Sequence, residues 1–144
     1  MRRLFLLLAL ITQTHSATAN TLDLDQFKGK VVYVDFWASW CGPCRQSFPW
    51  MQAMQQKYGA KGFQVVAINL DQEPELAKKF LEKYAVDFKV EYDAQGEIAQ
   101  HFGVQAMPTS LLIDRTGKTR ERHNGYFSDK QTGYESEILA LLGE

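Results

Sequence analysis

The fold is decided by one stretch, Val31-Val32-Tyr33-Val34-Asp35-Phe36, followed directly by Trp37-Ala38-Ser39-Trp40-Cys41-Gly42-Pro43-Cys44-Arg45. Apart from one acid, the first six residues are β-branched or aromatic and include no Gly or Pro, which predicts a buried strand. After Pro43, mostly apolar side chains recur at helical spacing until Gly59, the predicted end of a helix. These side chains are Phe48, Met51, Met54, Gln55 and Tyr58. Cys41 is therefore expected where a strand ends and a helix begins.

Cys41 and Cys44 are predicted to be a redox-active pair. The free N–H groups and the positive end of the dipole at a helix start favour a thiolate on Cys41. Cys44 lies one helical turn further on, close enough to close a small disulfide with Cys41. A thiolate at a helix start with a partner three residues away is the arrangement used for thiol–disulfide exchange.

The same pair is also compatible with a structural disulfide or with half of a metal site. The chain has only 2 Cys, however, whereas a structural zinc site needs about four ligands. A ring closed over so few residues constrains the unfolded chain little. Haem attachment requires His directly after the second Cys, where this chain has Arg45. We therefore predict redox exchange that uses no metal and no other cofactor.

The N-terminus has the order of a secretory signal. Arg2 and Arg3 precede an apolar run over residues 4–11, and Ala17-Thr18-Ala19 is an A-x-A cleavage site. The apolar run is far shorter than the about 20 residues that span a bilayer. This predicts a signal peptide over residues 1–19, a single domain over residues 20–144, and no stable membrane anchor after cleavage. Because exported proteins meet an oxidising compartment, a Cys pair that reduces others needs an upstream electron donor, expected in the membrane.

The rest of the chain alternates predicted strands and helices, which indicates an α/β fold with a central mixed sheet flanked by helices on both faces. We predict a strand over 63–70 and then a helix opened by residues 71–74, with Leu76, Ala77, Phe80, Leu81 and Tyr84 inward. Next come a strand over 88–92, a short helix over 97–102, and a strand over 109–113 that a turn joins to a strand over 118–123. The last predicted helix has a capping box at Ser128 to Gln131, with Ile138, Leu139, Leu141 and Leu142 inward. The net charge of −1, with Lys and Arg dispersed among acids, argues against nucleic acid or an anionic membrane as a partner.

Two motifs resemble the thioredoxin superfamily: residues 34–44 and, between a predicted helix and strand, Met107-Pro108-Thr109. The helix and strand over residues 74–92 resemble an insert of the exported TlpA/ResA/DsbE-like branch, as does the ending over residues 109–117. Members of that branch are periplasmic or extracytoplasmic thiol–disulfide oxidoreductases, several of them reductants in cytochrome c maturation. The resemblance implies a thioredoxin-like fold with a TlpA-like helix–strand insert, and reduction of disulfides in periplasmic proteins.

The resemblance also implies a role for each residue of the two motifs. Cys41 would be the exposed nucleophile and Cys44 the buried resolving thiol. Pro108 would be a cis-proline facing the disulfide, with the backbone of Met107 pairing with a bound substrate. Trp40, Gly42 and Pro43 would border that substrate, and Trp40 would shield the site.

Asp35 lies six residues before Cys41, where thioredoxin has a buried Asp that exchanges a proton with the resolving Cys. Burial would raise the pKa of Asp35 and make it a base near neutral pH; the alternative is an Asp at the strand end that points to water. Two departures weaken the assignment to cytochrome maturation. Ser47 stands where TlpA-like members commonly have Glu, and Ala67 stands where thioredoxin has a Lys partner.

Other functions remain compatible with the same residues. An oxidase or isomerase of secreted proteins would use the Cys pair in reverse, and a binding module would make the pair incidental. Gly42-Pro43 places no side-chain donor or positive charge on the Cys41 sulfur, which favours a reducing potential. The four polar residues His101, His123, Arg45 and Asp93 are expected at the surface and are assigned no role.

Overall fold

A computed structural model describes residues 21–143, so the predicted signal peptide lies outside the described residues. The strands are β1 Val31–Trp37, β2 Phe63–Asn69, β3 Lys89–Tyr92, β4 Thr109–Ile113 and β5 Thr119–Asn124. The α-helices are α1 Gly42–Tyr58, α2 Pro74–Tyr84, α3 Glu97–His101 and α4 Gln131–Leu142. Short 3₁₀ turns cover Leu24–Phe27, Gly59–Lys61 and Ser128–Lys130. Each predicted strand and helix is present, with bounds that differ by a few residues at most.

The sheet has the order β3-β2-β1-β4-β5, which places β1 at its centre. β1 pairs in parallel with β2, and β2 in parallel with β3. β4 runs antiparallel to β1, and β5 antiparallel to β4. The predicted mixed sheet and the thioredoxin-like fold are therefore confirmed, and the predicted insert is a helix followed by edge strand β3. All seven residues of β1 are buried, as its apolar sequence predicts for a central strand.

Helices cover both faces of the sheet, since alternate residues of β1 enter two separate apolar clusters. Val31, Tyr33 and Trp37 pack in the cluster that includes buried side chains of α1, α2 and α4. Val32, Val34 and Phe36 pack in the cluster that includes α3 and Phe27. Odd-numbered positions of β1 thus face the same side of the sheet as the helix that carries the cysteines.

The prediction that Gly59 ends the helix is confirmed, because α1 ends at Tyr58 and Gly59 is its C-cap residue. Other local predictions are wrong. Leu76 and Leu139 are exposed, although their spacing indicated the apolar face of a helix. Ser128 caps no α-helix; it begins a 3₁₀ turn, and α4 starts after Lys130 without a side-chain cap.

The two edge strands carry charged side chains. In β5, Arg120, Glu121 and Arg122 are exposed, and in β3 Lys89 contacts Glu91 at 2.9 Å. Within residues 21–143, none of the helices combines the length and apolar character that crossing a bilayer requires.

Candidate active site

The cysteine pair lies at the start of α1, as predicted. Cys41 has extended dihedral angles and is the N-cap residue, and Pro43 stands in the first turn, where its missing N–H costs no helical hydrogen bond. The two cysteines form a disulfide with a Cα–Cα distance of 5.3 Å. The Cys41 sulfur therefore belongs to the residue at which the orphan N–H groups of the helix begin, which favours its thiolate over its thiol.

The resemblance implied an exposed Cys41 and a buried Cys44, and the structure agrees only on Cys44. Cys44 is fully buried, as predicted, but Cys41 is only 4% exposed in the disulfide form, so its expected open exposure is wrong. Trp40, the residue before Cys41, is 67% exposed. The Cys41 residue is therefore largely covered in the disulfide form, whereas the neighbouring Trp40 presents most of its surface to solvent.

That loop is held by Asp71, a residue that the sequence interpretation placed only at the start of a helix. Asp71 follows the end of β2 and is 3% exposed. Its carboxylate accepts hydrogen bonds from the Ser39 N–H at 2.9 Å, the Ser39 hydroxyl at 2.8 Å and the Asn69 side-chain amide at 2.8 Å. From the other side, the Arg45 guanidinium donates to the Ser39 carbonyl at 3.3 Å. Charge-assisted hydrogen bonds of this kind fix the backbone two residues before Cys41.

The peptide bond between Met107 and Pro108 is cis, as the resemblance predicted. Pro108 is buried and comes directly before β4, whose first residue Thr109 pairs with Phe36 of β1. Because β4 runs antiparallel to β1, its start lies at the end of β1 from which the loop to Cys41 leaves. Met107 is partly buried and packs against the apolar cluster that contains both cysteines.

Asp35 is buried on the same face of the sheet. It is 2% exposed, and its Oδ2 atom has no hydrogen-bond partner. Desolvation by burial raises the pKa of this carboxyl well above its ordinary value. The alternative of an Asp that points to water is therefore wrong, and burial favours the protonated form of this carboxyl.

The two departures from the family pattern leave Asp35 without a charged neighbour at those positions. Asp35 pairs with Ala67 in the β1–β2 register, so the position expected for a Lys partner holds a methyl group. Ser47 is 1% exposed, and its hydroxyl donates to the Cys44 carbonyl at 3.0 Å. Ser47 thus supports the first turn of α1 and brings no carboxylate to the cysteines.

Sequence reasoning also missed the burial of two polar residues, one on each side of the sheet. Asp93, expected at the surface, is 2% exposed and accepts a hydrogen bond from the Ala99 N–H at 2.9 Å. His123, likewise expected at the surface, is half-buried against Ser110 and the Tyr134 ring. The position of Asp71 could have been predicted from the strand order. The carboxyl ends of parallel strands lie at one edge of a sheet, and Asp71 follows β2 as Cys41 follows β1. No group of acidic, His and Cys side chains among residues 21–143 is arranged to hold a metal ion.

Comparison with known proteins agrees with this geometry. The family model described as Redoxin matches residues 10–142. The chain therefore belongs to the Redoxin family, within the thioredoxin superfamily. Its similarity to ResA and DsbE proteins confirms the predicted resemblance to the TlpA/ResA/DsbE-like branch.

Individual relatives narrow the similarity. The chain is 37% identical over 110 residues to the thiol-disulfide oxidoreductase ResA of Bacillus thuringiensis subsp. konkukian, covering 76% of this chain and 64% of the relative. It thus spans a little less than two thirds of that relative's length. A crystal structure of a Chlorobium tepidum protein assigned as thiol:disulfide interchange protein DsbE matches with a TM-score of 0.82 and 54% identity, covering 83% of this chain and 85% of the other. A second Chlorobium tepidum structure, a thiol:disulfide interchange protein of the thioredoxin family, matches with a TM-score of 0.74 and 26% identity, over 83% and 85% of the two chains.

Proposed function

We propose that this protein is an exported thiol–disulfide oxidoreductase that reduces disulfides of periplasmic proteins. The observation that carries the proposal is the Cys41–Cys44 disulfide at the N-terminus of α1. The Cys41 thiolate attacks one sulfur of a substrate disulfide, and the other substrate sulfur leaves as a thiolate. Cys44 then loses its proton and attacks the Cys41 sulfur, which releases the second substrate thiolate. Two electrons pass to the substrate, and a membrane electron donor returns the enzyme to its dithiol form.

Asp35 is the proposed proton acceptor for Cys44. Its carboxyl is buried on the face of β1 that α1 covers. Ala67 occupies the position on β2 where thioredoxin has a Lys, so no cation at that position stabilises the charged form of Asp35. A base whose pKa is raised toward the working pH accepts and releases a proton most efficiently. The helix start, in contrast, assists Cys41 more than Cys44, because Cys41 is the N-cap residue and the effect declines along the first turn.

The substrate is proposed to bind along Trp40, Gly42, Pro43 and Met107, with Pro108 shaping the loop opposite the disulfide. A cavity of about 250 Å³ separates the Trp40 side from the Met107 side and is otherwise lined mainly by small and apolar side chains. These are Leu70, Ala99, Val104, Gln105 and Ala106. Such a cavity fits one apolar side chain of the substrate next to its cysteine.

Reduction is the proposed direction. Strong stabilisation of the thiolate makes a pair oxidising, as in DsbA at about −120 mV, whereas thioredoxin lies near about −270 mV. Gly42 and Pro43 bring no side-chain donor to the Cys41 sulfur, and Pro43 has no N–H. We expect a potential of roughly −200 to −280 mV on this scale.

The compartment and the client belong to the same proposal. Residues 1–19 support export with cleavage after Ala19, and the similarity to ResA and DsbE supports work outside the cytoplasm. A role in cytochrome c maturation is a narrower form of the proposal. The neutral Ser47, which donates its hydroxyl to the Cys44 carbonyl, argues against it, because TlpA-like members commonly have Glu there.

An insulin-reduction assay combined with a redox titration tests the proposal. We expect catalysed precipitation of insulin and a potential within the stated range. A potential near that of DsbA would make the protein an oxidase, and absence of turnover would favour a binding module. A Cys41→Ser, Cys44→Ser double variant is the matched control, because it keeps the fold and removes both sulfurs.

A further inference from the structure

A row of polar side chains crosses the core beside Asp35. The Tyr33 hydroxyl donates to the Ser110 hydroxyl at 2.8 Å, and the Ser110 oxygen lies 3.3 Å from His123 Nδ1. On the far side of the ring, His123 Nε2 lies 2.8 Å from Oε2 of Glu137 on α4. Neither of these two atoms makes a hydrogen bond in the structure, so Glu137 is an adjacent carboxylate that a small side-chain rotation would align with His123 Nε2. The four residues come from β1, β4, β5 and α4.

The inner end of this row lies next to Asp35, although no hydrogen bond joins the Asp35 Oδ2 atom to it in the structure. Tyr33 is two residues before Asp35 in β1, so the two side chains project from the same face of the sheet. Ser110 is the residue directly opposite Asp35 in the β1–β4 pair. Burial raises the pKa of the Tyr33 phenol, and the nearby Asp35 carboxyl raises it further. Asp35 itself is 2% exposed and so has almost no direct contact with solvent.

The outer end of the row opens to water. His123, Tyr134 and Glu137 line a cavity of about 560 Å³ between β5 and α4. The side chain of Glu137 is 35% exposed, whereas that of His123 is 14% exposed. A proton that reaches the His123 ring therefore has both a carboxylate and solvent beside it.

We propose that Ser110, His123 and Glu137 form a proton path that connects Asp35, through Tyr33, with the solvent in this cavity. The inference rests on the proposed function, in which Asp35 must lose its own proton to water before it can take the proton of Cys44, because burial favours the protonated carboxyl. Without such a path, a carboxyl this deeply buried would depend on local opening of the core. The path makes these residues relay groups that act through Asp35 and do not touch the substrate.

The direction of transfer follows from the donors and acceptors. Because a carboxylate only accepts, the His123 tautomer with hydrogen on Nε2 faces Glu137 and leaves Nδ1 as an acceptor for the Ser110 hydroxyl. Once rotation of the Asp35 carboxyl brings its proton to the Tyr33 oxygen, that oxygen takes the proton up as the Tyr33 proton moves to Ser110 and the Ser110 proton to His123 Nδ1. The Nε2 proton then moves to Glu137 and on to water. One proton leaves the core, and rotation of the hydroxyls with tautomer exchange restores the starting state.

Other ionisable groups around the row come from the elements packed against it. They are Tyr126 and Tyr134 near Tyr33, and Asp129 and Lys130 at the rim of the cavity. Arg122 also lines the cavity, but its guanidinium donates to the carbonyls of Phe102 and Gly103. None of these groups lies between Ser110 and His123, whose contact is direct.

Stopped-flow reaction of the reduced full chain with a chromogenic aromatic disulfide tests the path. The first phase of thiol release reports attack by Cys41, and the second, concentration-independent phase reports attack by Cys44. We expect His123→Ala to slow the second phase about tenfold, less than loss of a direct base, and to leave the first phase unchanged. Added imidazole should enter the adjacent cavity and restore the second phase of this variant without accelerating the wild-type protein.

The controls separate the path from mere packing and from the proposed function. His101→Ala, at an exposed histidine on α3, should leave both phases unchanged. Glu137→Gln keeps the side-chain shape and should slow the second phase alone, which covers the case that His123→Ala does not fold. A second phase of wild-type speed in both variants overturns the path. A slowing in His123→Ala that imidazole does not restore also overturns it. A wild-type protein with no second phase overturns the two-cysteine function instead.

Discussion

Two buried carboxylates flank the cysteine pair, and their surroundings are opposite. Asp71 accepts three hydrogen bonds from Ser39 and Asn69, and its own N–H donates to the Asn69 side-chain oxygen at 3.1 Å. Asp35, only slightly more buried at 2% exposure against 3%, has an oxygen with no partner. Donors surround the Asp71 carboxylate and stabilise its charge, whereas the Asp35 carboxyl is desolvated and its Oδ2 atom meets no donor.

The difference shows how one fold assigns two tasks to the same chemical group. Hydrogen bonds to a charged carboxylate stabilise a fixed geometry, which suits Asp71 for holding the loop before Cys41. A desolvated carboxylate without donors gains from taking up a proton, which suits Asp35 for exchange with Cys44. Both depend on the end of β1, since Asp35 lies within this strand and the Ser39 loop leaves it.

The contrast between Asp35 and Asp71 matters for function only if both carboxylates act on the same cysteine pair. Loss of either cysteine should therefore have the largest effect on activity. Cys41→Ser should abolish insulin reduction, because no other thiolate stands at the helix start. Cys44→Ser should keep the first attack and accumulate mixed disulfides with substrate, detectable by mass spectrometry. Wild-type turnover in either variant would contradict the mechanism.

Asp35→Asn tests the proton-exchange side of the comparison. We expect the second phase of the chromogenic reaction to slow about 10²-fold, because the base for Cys44 is lost while Cys41 keeps the helix start. Asp71→Asn is the matched variant, and it should slow the first phase at least as much as the second. Equal slowing of both phases in Asp35→Asn would mean that Asp35 is structural.

Asp71→Asn tests the positioning side through stability. The new amide can keep an oxygen for the Ser39 N–H and the Asn69 amide and turn its NH2 toward the Ser39 hydroxyl, but the charge that strengthens these buried hydrogen bonds would be lost. We expect the free energy of unfolding to fall by about 2–3 kcal/mol, measured by urea denaturation of the oxidised protein. Asp35→Asn should leave stability unchanged or raise it, because the carboxyl that it removes is unpaired. Higher stability in Asp71→Asn together with lower stability in Asp35→Asn would contradict the roles assigned to the two carboxylates.

The pH dependence of stability gives the smallest and most specific effect. The pKa of Asp35 is raised in the folded state, so folding favours its protonated form. Its contribution to stability is present below the ordinary pKa near 3.8 and is lost as the pH rises toward the folded-state pKa. Urea denaturation across this window should show a slope of at most about 1.4 kcal/mol per pH unit that Asp35→Asn removes. Parallel curves for the two proteins would contradict the assignment.

Most of the fold could be predicted from the sequence because its patterns are local. The apolar run of β1, the proline at the start of α2 and the turn before β5 each depend on a few neighbouring residues. The errors occur where tertiary packing overrides a local pattern. Leu139 has helical spacing but faces solvent, and Ser128 has the chemistry of a cap but lies before a 3₁₀ turn.

The site was predictable only where a motif or a resemblance carried it. The cysteines, the burial of Asp35 and the cis bond at Pro108 were expected, and the structure agrees on each. Asp71 was missed because its partner Ser39 is 32 residues away in sequence, and no local pattern records that pairing. Ser110 and His123 were missed for the same reason, since only the strand register brings them beside Asp35.

The charged edge strands β3 and β5 have a consequence for where another chain can add a strand. Each edge presents unpaired backbone groups, a ready template for β-augmentation and for aggregation. An incoming strand on β5 would have to lie among the charges of Arg120, Glu121 and Arg122, and on β3 beside the Lys89–Glu91 pair. Such charges discourage edge-to-edge pairing. The charges thus oppose strand addition at both edges of the sheet, which lie apart from the Met107 loop where we propose that the substrate binds.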